Sequence, residues 1–523
     1  MNKKLKQLSK INFLLLSLIL ILTVGFYLRI YKLNSSPAGF FCDEASVGYN
    51  SYTILTKGVD EYGERFPLFF RAFGEYKNPI QIYSTIPLIK FFGLNEFSIR
   101  LTSVIYGTLS ILGIYLLVRE LFKRQKNNNL IALLSAFLLT ISPWHIHLSR
   151  VALEGLNPFL FFTTIGLFLF LKSQMKPRFL PFVAIAFIFA LYSYFPARIF
   201  IPLFGLGVSF FHLKFFIKNK KVTILSFCIL IILLLPLMFH MFSKQGFARW
   251  DQVNIFSQPP QNQTITAHIL QNYLGHFSSD FLFLKGDIDM PGRFITRHSV
   301  RGLGELYLFQ LPLIFLGFIY LIKWKQKKPL LIILLWLILY PTGSMFTIDQ
   351  SVQATRSIVG VIPFQILSAA GLVFTLQFVI KLNKILILPL ALIIITLTTF
   401  SLFNFVDSYY TKYPLYSSDF WGWQYGPKEI IKYFLSNKSS YDELFMAGEF
   451  NGPEIFLKFY DPGNKCLNKC KIGDFNNLDF SRKQLFATTS EKIQKLPKNL
   501  NFTIQKNIYY PNGDIAFLIG EVK

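Results

Sequence analysis

Long apolar runs separated by short basic turns fill the first four hundred residues. INFLLLSLILILTVGFYL (11–28) is the first, an uncharged stretch of the length that crosses a bilayer core. Ten further runs follow, at about 98–118, 130–147, 157–171, 179–195, 198–216, 222–242, 305–322, 329–346, 357–379 and 385–405. With the first, taken as 11–31, they predict an α-helical polytopic membrane protein of about 11 transmembrane helices. One more apolar stretch, PIQIYSTIPLIKFFG (79–93), is short and interrupted, and reads as a helix lying in the membrane interface. After residue 406 the pattern changes and no run reaches span length. GPKEIIKYFLSN reads as a helix; DELFMAG, EIFLKFY and KQLFATT read as short strands. NFTIQKNIYYPNGDIAFLIGEV reads as a hairpin turning at Asn512–Gly513. The chain thus divides into a membrane domain, 1–406, and a small α/β domain, 407–523.

Charge sets the orientation. Only 15% of the residues are charged, against about 25% in soluble proteins, and 52% are hydrophobic. The formal net charge of +25 suggests nucleic acid until its distribution is read. With the N-terminus in the cytoplasm, the inner segments hold Lys3, Lys4, Lys6 and Lys10; Arg119, Lys123, Arg124 and Lys126; and Lys172, Lys176 and Arg178. Further along they hold Lys214, Lys218, Lys220 and Lys221; Lys323, Lys325, Lys327 and Lys328; and Lys381 and Lys384. Glu120 is the one acid among them. This alternation is the positive-inside pattern, and a miscounted span would break it. It puts the C-terminus and two long loops, 34–97 and 243–304, outside a cell membrane. The charged start resembles a signal peptide, but its apolar part is a full span without a small-residue cleavage site, so it reads as an uncleaved helix. Cys466 and Cys470 form a single C-x3-C, either a local disulfide or nothing.

Candidate chemistry gathers on the outer face. Asp43 and Glu44 follow the first span. Asp60, Glu61, Arg65, Arg71, Glu75 and Lys77 follow in the first outer loop. SPWHIHLSRVALEG, at the turn between spans three and four, holds His145, His147, Arg150 and Glu154. Arg198 and Arg356 sit at two further outer turns, and His268, His276 and His298 in the second long loop. Carboxylates deprotonate hydroxyls or bind divalent cations, while Arg and Lys hold phosphate. At headgroup level this mixture suits group transfer from a phospholipid-type carrier. A transporter or lipid flippase is the alternative, although such proteins place polar residues near the midplane, often in repeated halves. No repeat is evident here.

The order of these segments resembles the GT-C glycosyltransferases, in particular the protein mannosyltransferase and aminoarabinose transferase group, glycosyltransferase family 39. The resemblance covers about residues 10–405. It rests on CDEASVGYNSYTIL, DEYGERFPLFFRAFGEYKNP, GLNEFSIRLTSVIYGTLSI, ISPWHIHLSRVALEG, RHSVRGLGELYLFQLP and ATRSIVGVIP, in that order. It implies a polyprenyl-phosphate sugar donor, a lipid, glycan or protein acceptor, an outer-face site and inversion at the anomeric carbon. By position, Asp43 would be the general base and Glu44 its support. Lys77 and Arg356 would bind the donor phosphate, and Glu154 the substrate; on their outer-face chemistry alone, Arg198 joins the phosphate-binding candidates and Arg150 and Glu75 the substrate-binding ones. Metal use varies across the family, so a divalent cation stays open. Two departures stand out. Lys77-Asn78-Pro79 replaces the Lys-Pro-Pro of the aminoarabinose enzymes, and no late loop has room for the β-trefoil of the eukaryotic mannosyltransferases.

Overall fold

A computed structural model describes residues 3–260, 263–287, 295–324, 326–348 and 352–523. Lys325 of the predicted inner turns lies outside these ranges.

Every one of the eleven predicted segments is helical. The chain opens with α1 (Lys3–Ile30), followed in the first long loop by α2 (Cys42–Lys57) and α3 (Pro79–Phe92). The bundle continues through α4 (Glu96–Leu121), α5 (Asn128–Ile141), α6 (Pro143–Leu148) and α7 (Leu156–Ser173). Then come α8 (Leu180–Leu191), α9 (Ala197–Phe210), α10 (Leu213–Lys218) and α11 (Lys220–Met241). The second long loop carries α12 (Lys244–Val253) and α13 (Ile265–Gly275). α14 (Gln310–Lys323), α15 (Lys327–Leu339), α16 (Val361–Leu382) and α17 (Ile387–Asp407) complete the bundle. Among the described residues, six helical segments are long and apolar enough to cross a membrane. The five shorter ones, α5, α8, α9, α14 and α15, are 12–14 residues long. At about 1.5 Å per residue they fall short of a core about 30 Å thick without their flanking turns.

Burial sorts the helices. α11 and α17 expose Phe227, Phe239, Leu388 and Phe400 as lipid-type surface, whereas most of α4, α7 and the first half of α16 is buried. α14 and α16 approach closely through Gly317 and Gly371. A Cβ on either would stand about 2 Å from a carbonyl oxygen of the facing helix, 2.1 Å from Leu367 O and 1.9 Å from Leu313 O respectively.

The first long loop, 34–97, is largely folded. α3 matches the interfacial helix expected at 79–93, and Pro79 starts it at a position where a missing N–H costs nothing. α2 is an addition to the expectation. Its first turn holds Asp43 and Glu44, favourable at a helix N-terminus, and Gly58 ends it in the left-handed region at φ 70°. Between the two helices, β1 (Phe70–Ala72) and β2 (Glu75–Lys77) pair antiparallel through a turn at Phe73–Gly74, both residues at positive φ. Strand alternation puts Glu75 and Lys77 on one buried face.

Beyond α18 (Tyr413–Tyr416), the tail holds α19 (Pro427–Asn437), β3 (Glu443–Met446), α20 (Pro453–Tyr460), β4 (Cys470–Ile472), β5 (Gln484–Thr488), α21 (Ser490–Gln494), β6 (Phe502–Tyr509) and β7 (Ile515–Val522). The sheet order is β4-β3-β5-β7-β6, with β3 parallel to β4 and β5 and the remaining pairs antiparallel. The expected hairpin is β6–β7. EIFLKFY is a correction: it forms helix α20 rather than a strand. Pro453 starts the helix, and Ile455, Phe456 and Phe459 fall on one buried helical face. Cys466 and Cys470 are disulfide-bonded. The tail docks on the first long loop: Lys458 pairs with Glu61 at 3.1 Å, and Tyr460 and Lys428 both reach Glu96 at 2.6 Å.

Candidate active site

Asp43 stands in the first turn of α2, and the buried Lys77 reaches it from β2 with Nζ 2.6 Å from Oδ1. Burial alone would raise the Asp43 carboxyl. The Lys77 ammonium, with Arg297 and Arg249 behind it, holds the carboxyl below its ordinary value. Burial likewise works against the charge on Lys77, and Asp43 more than offsets it.

Two more carboxylates join them. Glu75 lies two residues before Lys77 on the same strand face and pairs with Arg249 of α12 at 2.9 Å. Burial pushes the Glu75 carboxyl up to about 7; Arg249 opposes this, and the neighbouring charges of Glu154 and Asp43 reinforce it. Glu154 occupies the turn between α6 and α7 with φ at 47°. Its carboxyl is also raised by burial and by Asp43, against the cations Arg249, Lys77 and Arg356. A non-glycine residue at positive φ is uncommon, and here it sits among the charges.

Cations close the cluster. Arg297 lies over the Phe41 ring at 4.2 Å and donates to the Trp421 carbonyl at 2.7 Å. His147 meets the Arg297 carbonyl at 2.7 Å and so fixes that residue's backbone. Arg198, at the start of α9, donates to Asn78 Oδ1 at 2.8 Å, which ties it to the residue after Lys77. Arg198 Nε and Asn78 Nδ2 are buried donors without an acceptor among the described residues. Buried donors in that state favour an anionic ligand. Also among the described residues, no group of three or more His, Cys, Asp and Glu has the arrangement of a metal site.

The structure brings together Asp43, Lys77, Glu75, Glu154, Arg198 and Arg356 of the expected residues. It places Glu44 and Arg150 elsewhere. Glu44 is wholly buried: Arg100 Nε and Nη2 donate to its two oxygens at 3.0 and 2.9 Å, and the backbone N–H groups of Ala152 and Phe41 donate at 3.0 and 3.3 Å. With those partners it has no oxygen left for a substrate. Arg150 donates to the carbonyls of Leu28, Arg29 and Ser36 and lies against the Tyr409 and Tyr410 rings, which makes it a clamp on the end of α1. Asp60 caps its own turn through the N–H groups of Tyr62 and Glu64. Arg249 and Arg297 went unassigned from sequence. Arg297 does open the RHSVRGLG segment, whereas Arg249 carries no local signal beyond its place in the second long loop.

A sequence model of the dolichyl-phosphate-mannose-protein mannosyltransferase family matches residues 19–244. ArnT from Cupriavidus metallidurans, solved bound to undecaprenyl phosphate, superposes with a TM-score of 0.58 at 11% identity, over 97% of this chain and 98% of that one. The chain has the GT-C fold. Its first half carries the resemblance to glycosyltransferase family 39 in sequence, and nearly its whole length carries the fold. The Archaeoglobus fulgidus oligosaccharyltransferase AglB, solved with an inhibitory peptide and a dolichol-phosphate, gives 0.56 at 14% identity over 89% of this chain. A second structure of the A. fulgidus oligosaccharyltransferase, tethered to an acceptor peptide, gives 0.55 at 15% identity over 86% of this chain. The chain spans only 65% and 63% of those archaeal proteins. No curated protein sequence matches.

Proposed function

We propose that the chain is a membrane glycosyltransferase that moves a sugar from a polyprenyl-phosphate donor to an acceptor on the outer face. The observation that carries this reading is the Asp43–Lys77 pair, a carboxylate and a phosphate-holding cation in contact, set among Glu75, Glu154, Arg198 and Arg356. The polyprenyl phosphates bound by ArnT and AglB support the donor class. The inner-turn lysines support about eleven crossings with the N-terminus cytoplasmic and the C-terminus outside. Residues 1–406 would form the catalytic domain and 407–523 an outer domain docked on it.

The reaction is a single inverting displacement. Asp43 takes the proton of the acceptor hydroxyl as its oxygen bonds to C1 of the sugar. The bond from C1 to the phosphate oxygen breaks on the opposite side, and polyprenyl phosphate leaves with the electron pair. Lys77, Arg198 and Arg356 stabilise the charge that grows on that phosphate. In the free protein Lys77 depresses the basicity of Asp43. A donor phosphate beside Lys77 offsets the ammonium charge, so Asp43 becomes a better base once the donor is in place.

Purified protein incubated with a panel of polyprenyl-phosphate sugars, with products identified by mass spectrometry, tests the reading and separates hexosyl from pentosyl donors. Asp43→Asn should abolish transfer while the variant still binds donor, and Lys77→Gln should weaken donor binding. Full transfer by Asp43→Asn would remove the mechanism. Solute movement into vesicles without any chemical product would replace it with the transporter reading.

A further inference from the structure

A second polar cleft lies at the far end of the bundle. α4 begins at Glu96, near the Glu44–Arg100 pair, and ends at Glu120–Leu121. The helix is 26 residues long, which places those ends about 38 Å apart. At that far end, the tails of α4, α7 and α14 and the start of α15 surround a cavity of about 280 Å³. Arg124 and Lys328 stand exposed at its rim. Lys123, also lining it, is already paired with Glu120 at 2.6 Å. Arg124 is held by Gln326 Oε1 at 2.9 Å, so its guanidinium keeps further donors for a ligand.

The floor is polar where the membrane side is apolar. His212 is buried, and its Nδ1 donates to the Val208 carbonyl at 2.9 Å, which leaves Nε2 as the remaining ring nitrogen. Gln174 Nε2 is buried without an acceptor among the described residues. A donor in that state is satisfied by an oxygen-bearing ligand. Trp324, stacked on Phe122 at 5.3 Å, also lines the cleft. An aromatic at this depth beside basic side chains is the composition of a lipid headgroup site.

We propose that this cleft binds the phosphate-bearing headgroup of an anionic membrane lipid, at the end of the bundle opposite Asp43. Arg124 and Lys328 meet the phosphate, and Gln174 donates to a headgroup oxygen. None of these residues belongs to the Asp43 cluster, so the inference stands or falls apart from the transferase reading.

Native mass spectrometry of the full-length protein, released from nanodiscs of phosphatidylglycerol or phosphatidylcholine, tests it. Wild-type protein should retain phosphatidylglycerol selectively. Each rim cation near a charged surface contributes on the order of a fivefold gain, so R124Q/K328Q should bind roughly thirtyfold more weakly. Lys328→Gln alone, at an exposed site, should lose about fivefold and guards against a misfolded double variant. Equal retention of phosphatidylcholine, or unchanged retention by R124Q/K328Q, would overturn the proposal. Inorganic phosphate displacing the lipid at equal concentration would overturn the headgroup assignment in favour of a free anion.

Discussion

Glu44→Gln separates a structural carboxylate from a catalytic one. Glu44 and Arg100 are both fully buried, and their two contacts form a bidentate pair. Two backbone N–H groups complete the carboxylate shell. Glutamine keeps the shape but replaces one oxygen with an NH2. Whichever way the amide turns, its new donor faces one guanidinium N–H and one backbone N–H. Arg100 then keeps one bond to the remaining amide oxygen and the carbonyls of Leu33, Pro37 and Gly39, and loses its carboxylate counter-charge. Breaking one side of a buried ion pair costs about 3–5 kcal/mol. At about 2–4 °C per kcal/mol for a large domain, the melting temperature should fall on the order of 10 °C.

Tryptophan fluorescence during heating in detergent reads this directly, with transfer activity measured on the same preparation. The expected result is a large loss of stability, and activity lost only in proportion to unfolded protein. Arg100→Met combined with Glu44→Gln should recover part of the stability, because no unpaired buried charge remains. An unchanged melting temperature with transfer abolished would refute the assignment and return Glu44 to the chemistry.

Glu75 makes the cluster pH-sensitive near neutrality. Its carboxyl is raised from an ordinary 4.5 to about 7, so the stabilisation it contributes is present in full below about 4.5 and is lost as pH rises through about 7. Donor binding should weaken over the same rise as Glu75 gains negative charge, and titration calorimetry with a polyprenyl phosphate at pH 6 and pH 8 would show it; Glu75→Gln should flatten the profile. Arg249→Met removes the cation that restrains Glu75, so the break in that profile should move to higher pH. Gly39→Ala should destabilise the junction between the first outer loop and the tail, since φ is 94° and the new Cβ would stand 2.4 Å from the Trp423 carbonyl oxygen. Limited proteolysis of the tail would detect it, and wild-type resistance in that variant would count against the packing described.

What was legible in the sequence was local. An apolar run of span length needs only a few neighbouring residues, and those runs were read correctly as helix. α2 was not read as a helix because its buried residues include Ser46, Gly48, Asn50, Ser51 and Thr53, small and polar side chains that blur an amphipathic pattern. EIFLKFY was misread because a short apolar segment fits strand and helix alike until Pro453 is weighed as a helix start. Asp43, Glu75 and Lys77 were within reach because one short loop carries all three. Arg249 and Arg297 come from a different loop, and only the folded chain brings their charges to bear on Asp43.

The acidic pair shows the same limit at the scale of one residue. In sequence, Asp43 and Glu44 are equivalent neighbours beyond the first span. In a helix, successive side chains diverge by about 100°. At the first turn of α2 that rotation sends Asp43 to Lys77 and Glu44 to Arg100, Ala152 and the body of the bundle. Hydropathy cannot make that distinction, because both residues are carboxylates at one depth. The phase of the helix makes it, and the phase is set where the tail grips the helix start: Gln424 Oε1 accepts from Cys42 N–H at 3.3 Å, and the Trp423 ring lies 5.7 Å from the Arg100 guanidinium. The tail therefore takes part in aiming Asp43, through a contact that joins residues 382 positions apart.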